Sequence, residues 1–164
     1  WSSDVCSSDL CSFEELVEEY FQAAYGKDWE SCFSYLSRLS SLCNCDYCNG
    51  NGSRQNPAVA KNMKQVAQTA ETFLSVCAAQ DKAALPPVQQ LFWKHLDYHR
   101  EYCILLSKAL FLLADGRTQE AGEAWKTFTY YICSQEDTFQ KALDVYRVVE
   151  VSTNYTGFPL IENF

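Results

Sequence analysis

The feature that most constrains this chain is the spacing of its apolar residues. They recur every three or four positions along most of its length, broken only by short polar, glycine- or proline-containing stretches. That period puts them on one side of an α-helix, and a helix with one apolar side must bury it against another element. The expected fold is therefore all-α: an antiparallel bundle of about five helices with a short extended C-terminal tail.

Ser12-Phe13-Glu14-Glu15 has the Ser-x-x-Glu form of a capping box. The predicted stripe of this first helix is Phe13, Leu16, Val17, Tyr20, Phe21 and Ala24, closed by Gly26. Glu14, Glu15, Glu18 and Glu19 lie opposite, and four carboxylates facing away from an apolar stripe read as a solvated face rather than as acid–base groups. Asp28 is expected to cap a second helix with Trp29, Cys32, Phe33, Leu36 and Leu39 inward, folded back on the first.

Asn56-Pro57 has an N-cap residue followed by proline at the first helical position, and predicts a third helix that buries Val59, Met63, Val66, Ala70, Phe73, Leu74 and Cys77. Leu85-Pro86-Pro87 breaks the chain before a fourth helix that runs to about Ala114, where Asp115-Gly116 stops it. Its main stripe is Val88, Leu91, Phe92, His95, His99, Tyr102, Leu106, Leu110 and Leu113. Ile104, Leu105, Phe111 and Leu112 cover the reverse side, so this helix is expected at the centre of the bundle.

A fifth helix is expected to be capped by Thr118 and to carry Ala121, Ala124, Trp125, Phe128, Tyr131, Ile132, Phe139, Leu143, Tyr146 and Val149, with a kink at Ser134 to Asp137. From Val151 onward the run is β-branched and turn-rich, and reads as an extended tail that docks on the bundle.

With 164 residues, 48% of them hydrophobic and 21% charged, the chain has enough apolar surface for one packed domain and is excluded from the disordered class. No apolar run approaches the roughly 18 residues of a membrane span, so no membrane is expected among its partners. Asp plus Glu outnumber Lys plus Arg by 21 to 13, and the cations form no run, which argues against nucleic acid as well.

Residues 1–10 resemble the in-frame translation of a common short-read sequencing adapter at all ten positions. They are read as an adapter-derived scar, and residues 11–164 as a single helical domain. Setting the ten aside moves the net charge from −8 to −6 and the cysteine count from nine to eight. An adapter at this point implies that a native N-terminus is missing, so the presence of a signal peptide is left open.

Three places could carry chemistry. Cys43-Asn44-Cys45-Asp46-Tyr47-Cys48 has thiols close enough in sequence to grip zinc, but a closed tetrahedral site needs a fourth ligand, for which Cys32 or Cys77 would have to serve. Ordinary reduced thiols, buried or at the surface, are the favoured reading. Disulfides are a third reading, weakened because Cys32, Cys77 and Cys103 lie on helix stripes where a reduced thiol simply packs. Reduced cysteines favour a cytoplasmic location.

His95 and His99 stand one helical turn apart. Leu96, Asp97 and Tyr98 between them do not make a His-Glu-x-x-His motif, and packed histidines at a helix interface are the expectation. Arg100 and Glu101 beside them read as ordinary ion-pair partners. Nucleophile-elbow, P-loop and dinucleotide motifs are absent. No residue is assigned a catalytic, cofactor-binding or metal-binding role, and no cofactor is expected; metal binding by Cys43, Cys45 and Cys48 stays open.

Four segments together resemble a known family: Phe13 to Gly26, Cys45-Asp46-Tyr47 with Asn49-Gly50, Tyr98 to Cys103, and Asp144 to Glu150. They are similar to the C-terminal helical region of bacterial proteins in domain-of-unknown-function family 4838. Members are glycoside-hydrolase-like, with a (β/α)₈ barrel ahead of a helical module, akin in layout to α-glucuronidases and family 20 hexosaminidases.

The resemblance implies an accessory module that braces such a barrel in the same chain or forms a homodimer contact, and that meets carbohydrate only through the parent enzyme. Barrel chemistry of this kind needs carboxylates at strand ends, so none of these glutamates is given that role and the fragment is not expected to be catalytic alone. The alternatives are a stand-alone helical interaction module and a zinc-binding helical protein.

Overall fold

A computed structural model describes Ser12 to Phe158; the adapter-like segment, Cys11 and residues 159–164 of the expected tail lie outside the described residues. In chain order the elements are α1 (Phe13–Tyr25), a 3₁₀ turn (Gly26–Asp28), α2 (Trp29–Leu42), α3 (Cys45–Cys48), α4 (Pro57–Ala78), a second 3₁₀ turn (Lys82–Ala84), α5 (Pro87–Ala114), α6 (Thr118–Ser134), α7 (Glu136–Phe139) and α8 (Val145–Thr156). The all-α expectation holds, with no strand among the described residues. None of these helices is long and apolar enough to cross a membrane.

Local sequence explains most of the starts. The Ser12 hydroxyl accepts from Glu15 N at 3.1 Å, and the Glu15 carboxylate accepts from Ser12 N at 2.7 Å, completing the capping box. Asn56 Oδ1 accepts from Ala58 N and Val59 N, with Pro57 at the first position of α4. Two expected caps differ. Asp28 precedes α2 but its carboxylate accepts from Gln80 Nε2 at 3.0 Å, tying α2 to the end of α4. Thr118 is the first residue of α6 rather than its cap, and Arg117 in the cap position makes no side-chain cap bond.

Hydrogen bonds between helix ends fix the packing directions. Asn56 N at the start of α4 donates to Ala114 O at the end of α5 at 2.9 Å, so these two long helices run antiparallel. Asn62 Nδ2 on α4 donates to Leu42 O at the end of α2. Across the α5–α6 pair, Tyr98 stacks on Tyr131 and Tyr102 meets Phe128 edge-on, the reversed order that antiparallel helices require. As expected, α5 is central, held between α4 on one side and α6 on the other.

The core is rich in aromatic rings. Tyr35, Phe73 and Trp93 from α2, α4 and α5 stack nearly parallel, with centroids at 4.1 and 6.5 Å. Trp125, Phe128 and Ile132 are fully buried on α6. The expected α4 stripe is buried except for Leu74, which is exposed. On α5 the inward residues include Trp93, Leu96 and Tyr98, which lie off the expected stripe, while Val88 and Leu91 are exposed. Having neighbours on two sides, α5 has no single inward face for a stripe to mark.

The C-terminal third departs most from expectation. The fifth helix does not kink and continue; it ends at Ser134, a short α7 and a turn follow, and α8 begins where Asp144 Oδ1 accepts from Arg147 N at 2.9 Å. Nor is the chain extended from Val151: α8 continues to Thr156, because Val145, Val149, Thr153 and Thr156 form one buried face whose packing outweighs weak helix propensity. Tyr146, expected inward, is exposed. Gly157 stops α8 in the left-handed region at φ 76°, and Phe158 then docks with its ring stacked on Trp125 at 4.6 Å.

Candidate functional site

Two features have properties that bundle packing does not require. The first is a cavity of about 350 Å³ between α2, α4 and α5, reached by the loop that carries the cysteine cluster. Leu36 and Leu39 of α2, Met63 and Val66 of α4, and Leu106 and Leu110 of α5 form its apolar wall. Cys43, Cys48, His99, Tyr102 and Cys103 form its polar side. The loop is pinned beside it: Tyr47 is buried and its hydroxyl donates to Arg54 O at 2.8 Å, while the Arg54 guanidinium lies 4.4 Å over the Tyr47 ring.

Of the thiols here Cys48 and Cys103 are half-buried and Cys43 is exposed at the mouth. Burial pushes Cys43 up to about 11 and Cys103 up to about 12, and raises Cys48 as well, so all three hold their protons at neutral pH. Cys32 and Cys77, the suggested fourth zinc ligands, sit in the core, where burial pushes them up to about 12 and about 11. They do not join the loop thiols, and among the described residues no group of three His, Cys, Asp or Glu could hold a metal ion. The seven described cysteines are free thiols. Cys45 is exposed and does not line the cavity.

The two histidines are separated. His95 lies against Phe139, with ring centroids 5.5 Å apart. His99 faces the cavity, stacks parallel to Tyr102, and has both ring nitrogens near a single sulfur, Cys103 Sγ, at 3.5 Å for Nε2 and 3.9 Å for Nδ1. Arg100, its side chain mostly buried, pairs with Asp97 at 3.0 Å and Glu101 at 3.2 Å, and none of the three lines the cavity. Cys103 and His99 share a helix face at i, i+4 spacing; that was the available signal for their meeting, and it did not reveal that Cys43 and Cys48 would come from the loop to join them.

Burial lowers the affinity of His99 for a proton. The unfolded chain therefore binds protons more readily than the folded one between the folded pKa and the ordinary histidine value. Stability is expected to be present above that ordinary value and to fall as the solution is acidified through it. Melting temperatures taken from pH 7 to pH 5 should decline, and His99→Phe should make that decline shallower; an equal slope in the two proteins would contradict the assignment.

The second feature is the apolar face of α1. Ala24 and Tyr25 at its C-terminal end are buried and Phe21 packs against the core, whereas Phe13, Leu16 and Tyr20 are 72%, 53% and 57% exposed. These three are spaced for one helix face, the one expected to be buried. Tyr20 meets Phe92 edge-on at 6.0 Å, so this face adjoins the start of α5, where Val88 and Leu91 are also exposed. Glu14, Glu15, Glu18 and Glu19 are solvated as expected; Glu15 serves the cap and Glu18 accepts from Gln22 at 2.8 Å.

In comparison with known proteins, no family model, no curated protein and no solved structure matches the chain.

Proposed function

We propose that this chain is a helical docking module, and that the body it docks on is the (β/α)₈ barrel of a carbohydrate-processing, glycoside-hydrolase-like enzyme. The observation that carries the docking reading is the exposed apolar face of Phe13, Leu16 and Tyr20, continued by Val88 and Leu91. Large apolar side chains grouped on one face, rather than scattered, are what a partner surface uses to anchor itself. The barrel as partner rests on the likeness of the Phe13 to Gly26, Tyr98 to Cys103 and Asp144 to Glu150 segments to family 4838. In this reading the module supports the chemistry and does not perform it.

The test begins with the intact reading frame at the native locus, which should show strand–helix alternation over several hundred residues ahead of this bundle. The barrel and this chain, produced as separate polypeptides, should then bind each other. Leu16→Asp with Tyr20→Asp should weaken that binding on the order of tenfold or more, since central apolar anchors dominate such interfaces. An intact frame with no barrel, or unchanged binding by the double variant, overturns the reading. Concentration-dependent dimerisation abolished by the same substitutions would assign the face to a second copy of the chain instead.

A further inference from the structure

We infer that the cavity between α2, α4 and α5 is a binding site for a neutral, mainly apolar small molecule with one hydrogen-bonding group, its body seated among Leu36, Leu39, Met63, Val66, Leu106 and Leu110 and its polar group turned to His99. The inference is independent of the docking reading, because the cavity and the α1 face share no residue.

Size is the first argument. The cavity opens to solvent at Ser40 and Cys43, and its volume of about 350 Å³ lies within the range of small-molecule sites. Beyond it a more open groove of about 540 Å³ runs between α5 and α8 and shares Cys48, Tyr102, Leu106 and Leu110 with the cavity, so an elongated ligand could continue into it. Water can hydrogen-bond at the His99 side, but the leucine, valine and methionine walls offer it no partner, so an apolar body displaces it there at little cost.

Charge is the second. No Asp, Glu, Lys or Arg lines the cavity, so a charged ligand would lose its hydration without gaining a counter-ion. Burial keeps the neighbouring thiols protonated and His99 neutral, which leaves the lining uncharged at pH 7.

Directionality is the third. Ser107 Oγ lines the cavity but donates to Ile104 O at 3.1 Å, within its own helix. A neutral imidazole has one donor and one acceptor nitrogen. Both nitrogens of His99 approach the same sulfur, and a thiol carries one proton, so a weak contact to Cys103 leaves hydrogen-bonding capacity on the ring. A carbonyl or hydroxyl on the ligand would take it up.

The experiment is an equilibrium titration of the full chain with Nile red, a neutral carbonyl-bearing dye that brightens in apolar surroundings. Saturable binding of one dye per chain is expected. Ser40→Trp, which fills the cavity from an exposed rim position, should abolish it while circular dichroism shows an intact fold; Leu36→Phe is the second filling variant if the first does not fold. His99→Phe should weaken Nile red about three- to tenfold, the worth of one hydrogen bond, and leave the hydrocarbon probe diphenylhexatriene bound as before. Absence of saturable binding, binding unchanged by cavity filling, or dye lost on Leu16→Asp with Tyr20→Asp but kept by Ser40→Trp would overturn the proposal. Equal weakening of both probes by His99→Phe would overturn the hydrogen-bonding role.

Discussion

Trp93→Ala is expected to destabilise the fold by about 3–5 kcal/mol, the range for emptying a large aromatic site in a core that cannot collapse around it. Trp93 has no exposed surface, meets Tyr25 edge-on at 5.5 Å and lies parallel to Phe73 at 6.5 Å, so the cavity would open between α1, α4 and α5 together. Domains of this kind are stable by only about 5–15 kcal/mol, which leaves the variant marginal at room temperature. Trp93→Phe should cost far less, about 1–2 kcal/mol. It keeps a ring in place, and it removes a buried indole N–H that has no hydrogen-bond partner, a group whose desolvation already counts against the fold. Urea unfolding of the two variants separates the cases; similar midpoints would mean that ring packing at this site is not what holds the three helices.

Gly50→Ala is expected to cost about 2–3 kcal/mol although it adds a single methyl group at an exposed position. Gly50 has φ 82°, where an L side chain is strained, and a Cβ there would come within 2.8 Å of the backbone oxygen of Tyr155 on α8. Backbone cannot step aside as the end of a side chain can, so the loop bearing Cys43, Cys45 and Cys48 would have to lift from α8. Gly52→Ala provides the comparison. Its φ is similar at 79°, but nothing lies within 4 Å of an added Cβ, so only the backbone strain of about 1 kcal/mol should register. A thermal shift for Gly50→Ala no larger than for Gly52→Ala would mean that the loop is not seated on α8.

Most of the helices were legible because their signals are local. Ser12 to Glu15 and Asn56-Pro57 start helices through contacts within three residues, and Asp115 and Gly116 end one in the same way. The α4 stripe was readable because α4 has one dominant buried side. The stripe of α5 was not, since packing on two sides removes the contrast between an inward and an outward face. Leu16 and Tyr20 have the same spacing as Val59 and Met63 by any periodic measure, yet they are exposed where the others are buried; a stripe shows that a face is apolar, not that something covers it.

Of the candidate site, His99 and the thiols at Cys43, Cys45 and Cys48 were visible as residue types, and their arrangement was not. Zinc binding depended on which distant cysteine approached the loop. The chain brings Cys103 to that place and leaves Cys32 and Cys77 in the core. Similarly, β-branched residues from Val151 onward suggested an extended tail because propensity is a local quantity. The burial of Val149, Thr153 and Thr156 against neighbouring helices overrode it.

From the amino-acid order alone came the helical class, most of the helix starts and the central place of α5, because caps, proline breaks and a repeat near 3.6 residues act over one or two turns. Tertiary structure alone decided that Phe13, Leu16 and Tyr20 of α1 stay in solvent, that α8 is helical, and that His99 shares an uncharged cavity with thiols some fifty residues away in the chain. Those outcomes depend on which surfaces meet across long separations, and no repeat or motif carries that information.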